Sequence, residues 1–179
     1  MSGELTVRRY RPGEKDRIEA VMDTAHRDAG VWLADEVTDS LDSIGGAYFP
    51  GGEFLVGTLD GEIVGTIAYR RPGDLLDELL DDVDGTTAQL ERFNVLPDHQ
   101  RKGYGTRLYD ELERRARADG YEEFALHTTH RQTAAQHFYR VNGFREVRRV
   151  EVTRFSRPFE LLCYRKSFDE GSPFDRFEQ

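Results

Sequence analysis

The segment Gln100-Arg101-Lys102-Gly103-Tyr104-Gly105 puts two cations and two glycines where an apolar run, "NVL", gives way to an amphipathic one, "TRLYDELERRA". A turn needs one glycine. The first turn of a helix carries backbone N–H groups with no intrahelical acceptor, at the positive end of the helix dipole. Glycines let an anion approach those amides closely, and Arg101 and Lys102 add charge. The segment therefore reads as a cradle for a phosphate-bearing ligand, a diphosphate first of all. Two familiar phosphate motifs do not fit it. A P-loop needs Gly-Lys-Ser/Thr, and Gly105 is followed by Thr106-Arg107. A dinucleotide fingerprint needs a third glycine where Leu108 stands.

Glu91 sits in the apolar run "AQLERFNVL". A carboxylate there costs energy unless it is paired or hydrated, and burial pushes it toward the range of a general base. An ion pair at the surface, with Arg92 or across strands, is the equal alternative. Strand alternation puts Glu91, Phe93 and Val95 on one face and Leu90, Arg92 and Asn94 on the other. His127, in a later strand, is a second candidate base. His127, His130 and His137 lack the cysteines or helical His-x-x-x-His spacing of a metal centre, so no metal is expected. Ser156 has no His/Asp pattern around it for a triad. Cys163 stands alone in "FELLCY", which reads as packing and excludes an intrachain disulfide.

The elements that must hold these residues follow from periodicity. "LTVRRY" reads as a strand and "EKDRIEAVMDTAHRDAG" as a helix with Ile18, Val21, Met22 and Ala25 on one face. A second helix is expected over 35–44, ending at Gly45-Gly46. "EFLVGTLDGEIVGTIAYR" is a hairpin about Asp60-Gly61. The acidic segment 71–87 has room for one short helix and precedes the fourth strand. The helix after the glycine segment presents Leu108, Leu112 and Ala116. "EEFALHTT" is a fifth strand. "RQTAAQHFYRVNGF" is a helix with Ala134, Phe138 and Val141 inward and a stop at Gly143. Two paired strands close the chain, and Phe174 and Phe177 are candidates to dock the tail. The fold class is α/β. A mostly antiparallel sheet has helices on both faces and one parallel pair, strands 4 and 5, across a helix crossover. One domain over 1–168 and a tail over 169–179 are expected.

With 34 acidic against 25 basic residues, the 179-residue chain has a formal charge of −9, which argues against nucleic-acid binding. The acidity suggests either a solvated surface or adaptation to high salt. No apolar run reaches membrane-spanning length and "MSGELTVRRY" has no signal-peptide core, so a cytoplasmic protein without membrane contact is expected.

Three segments in order carry a resemblance. "LERFNVLPDHQ", Gln100-x-x-Gly103-x-Gly105 and "HFYRVNGF" resemble the fourth strand, the pyrophosphate signature and the Phe-Tyr-x-x-x-Gly-Phe segment of the GCN5-related N-acetyltransferase (GNAT) superfamily. The similarity is strongest over 89–145. It implies an acetyl-CoA-dependent transfer to a primary amine by direct attack in a ternary complex. The acceptor is a small molecule, an amino acid or peptide, or a protein terminus. It also implies a cofactor set of Asn94, Val95, Gln100, Arg101, Lys102, Gly103, Tyr104, Gly105, Thr106 and Gln132. Val95 would offer its backbone N–H to the thioester oxygen, and Tyr139 would protonate the departing thiolate. Gln132 stands where the family often has Asn. A non-catalytic acyl-CoA-binding module and transfer of a longer acyl group are the alternatives. Fold relatives often dimerise, so a homodimer is open.

Overall fold

The computed structural model describes residues 3–29, 44–153 and 157–169. The elements run β1 (Thr6–Arg9), α1 (Lys15–Asp28), α2 (Ile44–Tyr48), β2 (Glu53–Leu59), β3 (Glu62–Arg70), α3 (Asp74–Leu79), β4 (Thr87–Val95), a 3-10 turn (Pro97–His99), α4 (Tyr104–Ala118), β5 (Glu123–Thr129), α5 (Thr133–Val141), β6 (Arg145–Val152) and β7 (Phe159–Ser167). The strands form one sheet in the order β1-β2-β3-β4-β5-β7-β6. The parallel pair is β4 with β5, in register from Thr87↔Glu123 to Gln89↔Ala125. The chain divides into two compact units, Met1–Arg70 with Leu90–Asp119 and Arg71–Gln89 with Gly120–Gln179.

In the first unit, β2 and β3 form the expected hairpin, with Asp60 and Gly61 both at positive φ (52° and 85°). That is the backbone of a tight hairpin turn matched to strand twist. Phe54, Val56 and Ala68 face Ile18, Val21 and Met22 of α1. On the opposite face Leu108 of α4 lies against β3. A Cβ on Gly65 would stand 2.8 Å from Leu108 Cδ1 and 3.0 Å from the Asn94 carbonyl oxygen. The glycine thus seats α4 directly on the strand, and helices cover both faces of the hairpin.

Residues 35–43 of the expected second helix lie outside the described residues. The described α2 contains Gly45 and Gly46 instead of ending at them. Ile44 and Tyr48, one turn apart, are both buried, and this anchoring outweighs the helix cost of two glycines, about 1 kcal/mol each.

In the second unit, Leu161 and Cys163 of β7 pack with Leu76, Leu79 and Leu80 around α3, and Arg148 donates to the Leu79 carbonyl at 2.7 Å. Tyr164, on the other face of β7, meets the Tyr139 ring of α5 at 5.8 Å. Helix α5 departs from expectation. Its buried residues are Gln136 and Tyr139, whereas Ala134 is exposed and Val141 is 66% exposed. The inward stripe is Gln132, Gln136 and Tyr139, at i, i+4, i+7, because polar atoms at the end of β5 need partners there. The C-terminal tail lies outside the described residues.

Acidic side chains also hold the first unit together. Glu14, 4% exposed, accepts from the Arg8 guanidinium at 2.6 and 3.1 Å and from the Arg11 N–H at 2.7 Å. The Arg8 hydrogen bonds hold its carboxyl below the ordinary value near 4.5, against the upward push of burial. Bonds from Arg114 and then Arg115 pull Glu111 down to about 2. Both folded values lie below the unfolded one, so the stabilisation is complete above about pH 4.5 and is lost as pH falls toward 2. Urea midpoints measured from pH 7 to 3 should therefore fall below pH 4.5, and the fall should be shallower in Glu14→Gln. Parallel slopes in the two proteins would refute this role for Glu14.

Candidate active site

The glycine segment has the backbone an anion cradle needs. Arg101 and Gly103 are both left-handed, with φ of 61° and 83°, and Gly103 is the residue before α4. The first bond of the helix runs from the Arg107 N–H to the Gly103 carbonyl at 3.1 Å. The amides of Tyr104, Gly105 and Thr106 therefore have no acceptor inside the helix. Apart from its chain neighbours, nothing lies within 4 Å of where a Gly103 Cβ would stand, so the space beside the helix start is open. Arg101 and Lys102 are exposed beside it. The Gln100 side-chain amide donates to the Val95 carbonyl at 3.0 Å, tying the loop to the end of β4. These residues fit a diphosphate group.

Glu91 is neither isolated nor deeply buried. Its Oε1 accepts from the Arg70 Nε at 3.0 Å and from the Tyr48 hydroxyl at 2.5 Å. The ion pair weighed as one alternative from sequence is present in its cross-strand form, with Arg70 at the end of β3. Simple alternation along β4 also fails. Arg92 has φ of 58°, and its Nε donates at 3.3 Å to the same Tyr48 hydroxyl that Glu91 engages. Consecutive residues thus point to one side. A left-handed residue inside a strand is the local twist that does this, at a cost of about 1 kcal/mol or more. Asn94 is buried on the strand, and its amide approaches the Thr66 hydroxyl at 3.4 Å. Arg92 was weighed from sequence only as an ion-pair partner of Glu91, and Arg70 and Tyr48 were not singled out. The only signal for them was that a carboxylate in an apolar strand needs a cation on a neighbouring one.

In the second unit, Gln132 serves the protein itself. Its Oε1 accepts from the Thr128 hydroxyl at 2.6 Å and the Thr129 N–H at 3.0 Å. Gln136 donates to the carbonyls of Thr129 and His130, both at 3.0 Å. The two glutamines clamp α5 to the end of β5, so the side-chain oxygen of Gln132 is engaged within the fold. Tyr139 is 5% exposed, its ring among Phe138, Phe144 and Tyr164. Burial raises its pKa, and the neighbouring Tyr164 adds to the rise, so the hydroxyl keeps its proton. His127 is half-buried on β5 opposite Cys163, and His130 Nδ1 accepts from the Glu160 N–H at 3.0 Å. Among the described residues no three His, Cys, Asp or Glu side chains are grouped as metal ligands. No described helix is long and apolar enough to cross a membrane.

Known proteins share this fold. The chain is 33% identical over 99 residues to "Probable N-acetyltransferase camello" of Xenopus tropicalis, a stretch covering 55% of this chain and 41% of that protein. The matched stretch thus spans less than half the length of this relative. A GNAT-family acetyltransferase structure from Staphylococcus aureus Mu50 superposes with a TM-score of 0.75 at 20% identity, covering 92% of this chain and 99% of the other. The structure of yncA from Salmonella typhimurium, solved with its cofactor acetyl-CoA, gives 0.71 at 19% identity over 95% and 97% of the two chains. These likenesses establish the fold. The sequence model described as "Acetyltransferase (GNAT) family" matches residues 18–144, an interval that holds every candidate residue from Glu91 to Tyr139, and the chain belongs to that family.

Proposed function

We propose that this acetyltransferase moves an acetyl group from acetyl-CoA to a primary amine by direct attack in a ternary complex, with no covalent enzyme intermediate. The observation that carries the reading is the set of amides at Tyr104, Gly105 and Thr106, open through Gly103 and backed by Arg101 and Lys102. Acetyl-CoA, when bound, supplies the acetyl group as an activated thioester.

The protein has three tasks in this reading. The backbone N–H of Val95 meets the oxygen on which negative charge develops; one preorganised donor of this kind is worth about 3 kcal/mol. The Tyr139 hydroxyl, protonated because it is buried, donates to the departing sulfur. Glu91 takes the amine proton directly or through a water, its carboxylate oriented by Tyr48 and Arg70. His127 is the second candidate for this task. Gln132 contributes by fixing α5, which carries Tyr139, to β5.

Gly103→Val fills the open approach and strains a left-handed position. Calorimetry should show affinity for coenzyme A reduced about a hundredfold, roughly two charge-assisted bonds, with the fold retained. Undiminished affinity would remove the loop from the site. Tyr139→Phe keeps the packed ring and should cut kcat about a hundredfold while coenzyme A affinity changes less than about twofold. Equal losses of both would make the tyrosine structural. Glu91→Gln should lower the plateau rate about a hundredfold and abolish the acid limb of kcat/KM. An unaltered pH profile would shift the base to His127. Tight coenzyme A binding with no thiol release for any amine in a broad panel would favour a binding module over an enzyme.

A further inference from the structure

We infer that Tyr48 is a positioning residue for the amine side of the reaction, fixing the Glu91 carboxylate through its hydroxyl with the Arg92 guanidinium behind it. The inference deepens the proposed reading and rests on Glu91 acting there. Tyr48 ends α2 and is 3% exposed, its ring edge-on to Phe54 at 5.2 Å between centroids. A buried phenol needs a hydrogen-bond partner, and a backbone carbonyl would serve for stability alone. Here the partner is a carboxylate, at 2.5 Å, a short charge-assisted bond.

The second contact sets its direction. Arg92 donates to the phenol oxygen at 3.3 Å, so the Tyr48 proton points toward Glu91. Arg92, Tyr48 and Glu91 form a chain in which each donor is polarised by the one before it. Arg70 reaches the same Glu91 oxygen from β3, so two donors from two different elements fix one corner of the carboxylate. Burial, and then the charge of Glu91, raise the pKa of Tyr48, so the phenol remains a donor across the working pH range. Among the described residues, His26 of α1 also bears on this cluster, with Asp23 beside it on the same helix. The His26 pKa is lowered by burial first and by the charge of Arg92 second. The left-handed backbone of Arg92 makes the chain geometrically possible, since it turns two consecutive residues toward one hydroxyl. Backbone of that kind is retained where the surroundings over-determine it, commonly at functional sites.

The test has two arms. In the first, the ¹³C signal of the Glu91 carboxyl, assigned by its absence in Glu91→Gln, is recorded at neutral pH in the wild type and Tyr48→Phe. Losing the phenol donor should shift that signal and broaden it as the carboxylate loses its fixed orientation. An unchanged signal overturns the inference without reference to any acceptor. In the second, acetyl-CoA and the fastest amine from a panel of amino acids, polyamines and peptides are used in a double-mutant cycle. Tyr48→Phe should lower kcat about tenfold with little change in KM, and should cost nothing further once Glu91 is Gln. An equal loss in both backgrounds overturns the positioning role. Full activity of Glu91→Gln alone would instead end the reading of Glu91 as base, leaving the carboxyl signal to decide what Tyr48 holds.

Discussion

Everything proposed for this protein depends on the first turn of α4 being held still with its amides uncovered. A helix N-terminus attracts anions in any protein; it binds one usefully when the helix cannot retreat from the charge it faces. Here α4 is fixed along its length within the first unit. Leu108 sits against Gly65 near the start of the helix. Arg115 reaches the buried Glu53, which Arg9 also grips with two bonds of 2.8 Å, and Asp119 accepts from the Tyr69 hydroxyl at the far end. The loop is fixed as well, by Gln100 on the Val95 carbonyl. The amides of Tyr104, Gly105 and Thr106 and the backbone of Val95 are thereby tied to one rigid piece of β3, β4 and α4. That rigidity is what lets binding of one part of a ligand orient another part.

The frame of this piece was legible in the sequence because each of its elements has one dominant determinant. Asp60-Gly61 dictates its turn, Leu108, Leu112 and Ala116 dictate the face of α4, and the glycine segment dictates an open helix start. Where several weaker terms compete, periodicity misled. On α5, counting apolar residues selected Ala134, Phe138 and Val141, but the buried residues are Gln136 and Tyr139. The reason is that β5 ends with carbonyls and hydroxyls that must be paired, and two glutamines pair them at less cost than apolar side chains could. A helix face that turns inward to satisfy polar atoms leaves no apolar stripe in the sequence to find it by.

The surroundings of Glu91 show a second limit of a different kind. Alternation along β4 assumes that every residue is extended, and one left-handed residue, Arg92, breaks the phase for all that follow. Nothing in "LERFNV" announces that conformation, because arginine has no preference for it. Tyr48, 43 positions away, is equally unannounced. A strand sequence predicts that a charge inside it will find a counter-charge. It does not predict which one, and at Glu91 the identity of the partners decides whether the group is a free base or an oriented one.

The net charge of −9 poses a remaining question, since the family's cofactor is itself anionic. At physiological ionic strength exposed charges are screened beyond about 8 Å, so the global charge acts weakly at the loop. The local charges there include Arg101, Lys102 and the dipole of a fifteen-residue helix. The last turn of that helix carries Arg115 and Arg117, which favour its negative end, and Glu111 and Glu113 balance them one turn back. The acidic residues thus stabilise α4 through pairs along its body and leave its first turn without any carboxylate. Within this helix the charge pattern, more than the total, reconciles an acidic protein with an anionic ligand. Adding a carboxylate at Thr106 would disturb binding more than removing several from the distant surface.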